Sequence, residues 1–161
     1  MPLYDTMNPM QIPVIAYTDG ACRYNPGPAG LGVVIKLDGE AWEYAEYLGE
    51  GTNNIAELSG IMRAAERVAA VYPGQGCVIH TDSTYAIGVL SKGWRAKANI
   101  DLIRHVQNAL ASVPNWSLRY VPGHSGVAEN EYADKLATAA AKTKMGFAWR
   151  LRGPGQNLLP L

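Results

Sequence analysis

Four carboxylates stand where an acidic side chain is out of keeping with its neighbours. Asp19 follows the apolar run PVIAYT (13–18), and Asp82 directly follows CVIHT (77–81). Glu57 immediately precedes Leu58 in a stretch with helical apolar spacing, and Asp134 lies beside Ala133 and two residues before Leu136. If the two strand runs are neighbours in one sheet, Asp19 and Asp82 meet at its edge. Carboxylates gathered in one place repel each other unless something neutralises them. A hard divalent cation does this well, and oxygen ligands suit magnesium or manganese. Two such ions held by shared carboxylates make a phosphoryl-transfer site, one activating a water and the other stabilising the leaving oxygen. Any one of the four taken alone reads better as an unrelated surface acid.

The elements that must position these groups follow from the hydrophobic pattern. PVIAYT (13–18) reads as a strand ending at Asp19-Gly20, NPGPAG (25–30) as turn punctuation and LGVVIKL (31–37) as a second strand. Asp38-Gly39 is a hairpin signal, and AWEYAEYLG (41–49) alternates as the partner strand. From Asn54 the period becomes helical, with Ile55, Leu58, Ile61, Met62, Ala65, Val68, Ala69 and Tyr72 recurring up to Pro73-Gly74, and Glu57 in the first turn. CVIHT is a short buried strand, followed by a short helix to about Leu90. A further helix spans Ile100 to about Ser112, WSLRYV (116–121) is a strand, PGHSG (122–126) a loop, and Glu129 to about Thr143 an alanine-rich helix. The order βββ, α, β, α, α, β, α implies one α/β domain with a mixed sheet covered by helices. Residues 1–12 read as a loose N-terminal arm, 13–143 as the domain and 144–161 as a basic C-terminal tail.

A chain of 161 residues with 48% hydrophobic and 17% charged residues is neither disordered nor short of a core. No apolar run approaches the roughly 20 residues of a membrane span, and the N-terminus lacks a signal pattern. Cys22 and Cys77 form no CxxC pair and no disulfide framework, so a reducing, cytoplasmic setting is expected. Net charge is zero, which argues against binding nucleic acid by total charge alone. The distribution is polarised, however. Asp38, Glu40, Glu43, Glu46 and Glu50 form an acidic stretch; Lys92, Arg95 and Lys97 form a small basic cluster; and Lys135, Lys142, Lys144, Arg150 and Arg152 end the chain without an acidic residue among them. Solvated faces are the plain reading of these runs, and a cationic side facing an anionic partner is the sharper one.

The strings around the four acids narrow the field: YTDGACRYNPGPAG (17–30), TNNIAEL (52–58), HTDSTYA (80–86), VPGHSG (121–126) and ENEYAD (129–134). In this order and spacing they resemble the ribonuclease H type 1 family over about residues 14–143. The resemblance implies a ribonuclease H-like fold, a five-stranded mixed sheet, antiparallel 3-2-1 then parallel 1-4-5, flanked by helices. It implies an endonuclease that hydrolyses the RNA strand of RNA/DNA hybrids by two-metal-ion catalysis, leaving 3′-hydroxyl and 5′-phosphate ends. Asp19, Glu57, Asp82 and Asp134 would be the catalytic, metal-binding carboxylates, holding two Mg2+ ions (or Mn2+) per site. Asp19 would bridge both ions, Asp134 would serve the water-activating ion, and Glu57 and Asp82 the leaving-group side. His124, between two glycines of a loop, would assist proton movement or product release. Asn25, Asn53 and Asn54 match minor-groove positions, and Cys22, Thr52, Ser83 and Trp94 are further candidate substrate contacts. A half-buried thiol at Cys22 and a helix N-cap at Thr52 are the competing readings there. No small-molecule cofactor, no membrane and a monomer are expected.

The chain departs from the family pattern at three places. Ala21 stands where Ser is frequent, and Tyr24 where Gly is usual before Asn-Pro-Gly. The basic handle of many bacterial members is reduced to SKGWRAKAN (91–99). Lys142, Lys144, Arg150 and Arg152 are candidates to replace its phosphate contacts, the alternative being that Phe147 and Trp149 pack the tail on the body. A transposase or integrase-type core of the same fold and a catalytically silent hybrid-binding module are the competing functions.

Overall fold

The structure, a computed structural model, describes residues 12–152. Strands β1 (Val14–Cys22), β2 (Gly27–Leu37) and β3 (Glu40–Gly51) form the antiparallel meander. Its second turn, Asp38-Gly39, has positive φ at both residues, the twist that suits a two-residue hairpin. Helix α1 (Asn53–Val71) follows, then β4 (Cys77–Thr81), α2 (Thr84–Ser91), α3 (Ile100–Ala111), β5 (Ser117–Tyr120), α4 (Ala128–Thr143) and β6 (Phe147–Leu151). The sheet order is β5-β4-β1-β2-β3-β6, with β1, β4 and β5 parallel.

Two-residue alternation on β2 divides the interior. Leu31, Val33 and Ile35 point to one face and meet Leu58, Ile61 and Val68 of α1 and Ile103, Val106 and Leu110 of α3. Val34 serves the other face, where Ala133, Leu136, Ala139 and Ala140 of α4 pack. Each fully buried Leu or Ile on the first face contributes about 1.5–3 kcal/mol relative to exposure.

The sheet has six strands rather than the expected five. Residues 147–151, which the charge pattern placed in a basic tail, form β6 antiparallel to β3 with Glu43 opposite Arg150 and Ala45 opposite Phe147. The reason lies in the side chains. Trp149 stacks on Tyr44 at 5.0 Å between ring centroids, and the Arg67 guanidinium lies 5.3 Å from the Trp42 ring and 5.1 Å from the Trp149 ring. On the opposite face Glu43 is fully buried, accepting hydrogen bonds from Arg150 Nε at 2.8 Å and from the Tyr132 hydroxyl. Glu43 is thus buried and hydrogen-bonded and not part of a solvated acidic face, and Arg150 is engaged by it. The alternative of a packed tail holds for residues 147–151; Arg152 lies with its guanidinium 3.8 Å from the Tyr132 ring centroid. Most of the expected N-terminal arm and the end of the tail, residues 1–11 and 153–161, lie outside the described residues. No helix among the described residues is long and apolar enough to cross a membrane.

Candidate active site

The site forms where β1, the central parallel strand, meets the starts of three helices. Asp19 lies inside β1, opposite Gly32, and does not close the strand as its sequence context suggested. Tyr17 pairs with His80 on β4, so Asp82, one residue past the end of β4, comes beside Asp19. Glu57 is the fifth residue of α1, one residue deeper than expected and so just past the first turn, because the helix begins at Asn53 behind the Thr52 cap. Asp134 lies in the second turn of α4.

Two absent side chains allow this convergence. A Cβ on Gly20 would lie 2.5 Å from the Glu57 nitrogen, and one on Gly32 would lie 2.4 Å from the Ala133 carbonyl oxygen. Glycine at the first lets α1 press on β1, and glycine at the second lets α4 press on β2. The result is that ligating oxygens of Asp19, Glu57 and Asp82 all fall within 4.8 Å of one another. Asp134 lines the same open cleft, of about 370 Å³, together with Asn53, Asn54, Ser83, Thr84 and Tyr85.

Asp19 is 5% exposed and Glu57 9%. Burial, reinforced by the neighbouring charges of Glu57 and Asp82, pushes the Asp19 carboxyl up to about 11. Burial also pushes Glu57 up to about 8, against the hydrogen bond that it shares with Asp19. Asp82 is raised by burial, with the charge of Asp134 adding to it and that of His124 opposing. Left to themselves these acids resist ionisation; a cation among them would favour the charged forms and remove the repulsion. The donor set fits that role. Asp19 Oδ1 accepts one backbone bond from Gly20 at 2.9 Å, while Glu57 Oε2 is buried without a hydrogen-bond partner. Carboxylate oxygens without competing donors suit a hard divalent ion.

His124 is exposed on the loop between β5 and α4, with a φ of 55°. The loop rests against the site, since a Cβ on Gly123 would lie 2.9 Å from Asp82 Oδ2. Its far end is tied to α4 by Gly126, whose N–H donates to Glu131 Oε1 at 3.1 Å.

Six of the seven candidate substrate contacts border this region. Asn25 Oδ1 accepts from the Asn53 N–H at 3.0 Å, which joins the β1–β2 turn to the start of α1. Asn53 and Asn54 are exposed at the cleft. Thr52 Oγ1 caps α1 through Ile55 at 3.2 Å, and Ser83 Oγ caps α2 through Ala86 at 3.0 Å. The Cys22 thiol is half-buried and lies 3.4 Å from the Gly51 carbonyl oxygen and 3.6 Å from that of Gly27, a packing role. Trp94 lies apart from the carboxylates. It rests on α2 over Gly88 and lines a separate depression with Ile87, Lys92, Leu118 and Tyr120. Thr84, which borders both depressions, and Tyr85 escaped notice in the sequence. Their position in the first turn after the Ser83 cap was the available signal.

The family model for RNase H matches residues 11–142. A ribonuclease H of Alkalilimnicola ehrlichii is 41% identical over 139 residues, covering 76% of this chain and 90% of the relative. A ribonuclease HI of Synechocystis is 35% identical over 141 residues, covering 79% and 86%. Among solved structures, RNase H1 from the archaeon Halobacterium salinarum superposes with a TM-score of 0.70 at 32% identity, covering 83% of this chain and all of that one. LC11-RNase H1, solved in complex with an RNA/DNA hybrid, gives 0.71 at 29% identity, covering 81% and 98%. A mixed sheet with this strand order and an acidic cluster at the end of its central parallel pair define a ribonuclease H-like nuclease fold. The chain belongs to the ribonuclease H family, of the ribonuclease HI type.

Proposed function

We propose that the chain is a metal-dependent endonuclease that hydrolyses the RNA strand of RNA/DNA hybrids, leaving 3′-hydroxyl and 5′-phosphate ends. The observation that carries this reading is the meeting of four carboxylates in one open cleft bordered by the amides of Asn53 and Asn54. Magnesium is the ion of choice for such an all-oxygen donor set, with manganese a substitute. Two ions, when bound, supply an activated water and neutralise charge on the leaving oxygen. Asp19, at the centre of the cluster, would contact both; Asp134 would hold one, and Glu57 and Asp82 the other. His124, on an exposed loop against Asp82, would carry protons to or from the departing product.

Selectivity for a hybrid falls to short amides. Asn25, Asn53 and Asn54 would reach base edges and 2′-hydroxyls across the minor groove, the contacts by which a protein tells RNA from DNA. Lys92, Arg95, Lys97, Lys142 and Lys144 are exposed cations suited to phosphates. The hybrid complex of LC11-RNase H1 supports this substrate class.

A labelled RNA/DNA hybrid, duplex DNA and duplex RNA, each incubated with magnesium, manganese or a chelator, tests the reading. Cleavage of the hybrid's RNA strand alone, and only with a divalent ion, is expected. Binding without cleavage under every condition would instead identify a silent hybrid-binding module, and cutting of duplex DNA a transposase-type core.

A further inference from the structure

Tyr24 combines two features that oppose each other unless the side chain is used. Its φ is 65°, in the left-handed region where a residue with a Cβ is strained and where glycine is the usual occupant. Its side chain is 82% exposed, the highest among the exposed large hydrophobic residues of the described chain. Backbone strain and a solvated aromatic ring are both unfavourable for folding, and neither is offset by packing.

The turn that carries Tyr24 is rigid. Arg23 N–H donates to the Pro28 carbonyl at 2.9 Å across its base. A Cβ on Gly27 would sit 1.8 Å from the Arg23 carbonyl oxygen, so the chain folds back on itself as tightly as glycine permits. Asn25, the next residue, is fastened to the first N–H of α1, and Asn53 in turn lines the carboxylate cleft. The backbone that carries the ring is therefore braced beside the amides that would read the minor groove. The Arg23 guanidinium lies 5.6 Å from the ring centroid, and the ring remains largely open to solvent. An aromatic plate with a cation beside it suits a nucleic-acid groove: the ring rests on sugar faces while the guanidinium reaches the flanking phosphate.

We infer that Tyr24 is a substrate-positioning residue, packing against sugars in the minor groove of the hybrid next to the base pair approached by Asn25, with Arg23 on the adjoining phosphate. This rests on the hybrid-cleaving function proposed above. The role is binding and orientation, since the ring belongs to the turn and not to the carboxylate cluster.

The test compares Tyr24→Gly and Tyr24→Phe with the unaltered protein, in steady-state cleavage of a labelled hybrid and in thermal melting. For Tyr24→Gly, KM is expected to rise about fivefold, the effect of losing a modest apolar contact, with kcat within about twofold. Its Tm is expected to stay level or rise by about 1–3 °C, because the strained φ is relieved. Tyr24→Phe keeps the ring and should keep KM. An unchanged KM in Tyr24→Gly overturns the inference while leaving the hybrid-cleaving function intact. A fall in Tm of several degrees with no change in KM assigns the ring to the fold and overturns it equally. Absence of hybrid cleavage by the unaltered protein overturns both.

Discussion

The two faces of the sheet are built from different materials. Against α1 and α3 the interior is branched aliphatic, with Leu31, Val33, Ile35, Leu58, Ile61, Ile79 and Leu110 all but excluded from water. Against α4 the closest approach is alanine over glycine, with Gly30 and Gly32 on β2 and Ala133, Ala137, Ala140 and Ala141 on the helix, and Val34 and Leu136 are the larger side chains of that layer. The first face buries volume and therefore supplies stability. The second brings two backbones close and therefore fixes distance. The carboxylate cluster sits on the line where they meet, Glu57 contributed from one side and Asp134 from the other.

The largest effect belongs to that line. Asp19→Asn keeps the shape of the side chain and removes the central charge, so cleavage should fall by roughly 10³-fold or more. The Tm measured without metal should rise, because a buried acid pressed upon by Glu57 and Asp82 is gone. Near-normal turnover by this variant at saturating magnesium would remove the central assignment.

A paired substitution tests the division of labour directly. Ile61→Ala on the thick face should cost about 3 kcal/mol of stability and leave kcat of the folded protein unchanged. Gly32→Ala on the thin face should lower kcat by roughly 10–100-fold, since its Cβ forces the Ala133 turn, and Asp134 with it, away from β1. Equal effects of the two on kcat would erase the distinction drawn between the faces.

The next effect is electrostatic. Asp19, Glu57 and Asp82 all have folded-state values above their ordinary ones. The folded protein then binds more protons than the unfolded chain, so this contribution is full below about pH 4 and is lost as pH rises through the folded values. For Glu57 that window extends to about 8. Melting of the metal-free protein between pH 5 and 8 should show stability falling steadily as pH rises, and saturating magnesium should reverse the slope. A metal-free stability that climbs through this range would count against the buried cluster.

The smallest effect concerns the outer edge of the thin face. Arg150→Met should cost about 1–2 kcal/mol, less than a fully enclosed pair because the Arg150 side chain is 33% exposed, while kcat is retained. Urea unfolding alongside cleavage rates measures both.

Local pattern accounts for much of what the sequence revealed. Alternation marked β2 and β3, helical spacing marked α1, and Asp82-Ser83 after an apolar run placed an acid at a strand end. The misses were residues whose state is set by distant partners. Asp19, Gly20 and Ala21 are poor strand formers by propensity, yet β1 continues to Cys22 because Gly32, Leu31 and Gly30 complete the ladder opposite them and Ala29 pairs with Cys22. Glu43 looked like one of a row of solvated acids, and its burial depends on Tyr132 and Arg150, 89 and 107 residues further along. The strand at 147–151 carried cationic residues that suggested exposure, while Phe147 and Trp149 found Ala45 and Tyr44 across the sheet edge. Spacing along the chain says nothing of such pairs. The four carboxylates were readable because flanking strings, and not the acids themselves, marked their places.

The order in which the chain delivers its acids carries a consequence for synthesis. Asp19 arrives with the first strand, Glu57 and Asp82 follow from α1 and the end of β4, and Asp134 comes with α4, near the end of the described chain. A growing polypeptide that has exposed only its first hundred residues can pair β1, β2, β3 and β4 and lay α1 on one face, but the other face of β2 then lacks α4 and the cleft lacks its fourth acid. The cluster is complete only when α4 docks on the glycines of β2. Until α4 has emerged and docked, the three earlier acids stand in an incomplete cluster.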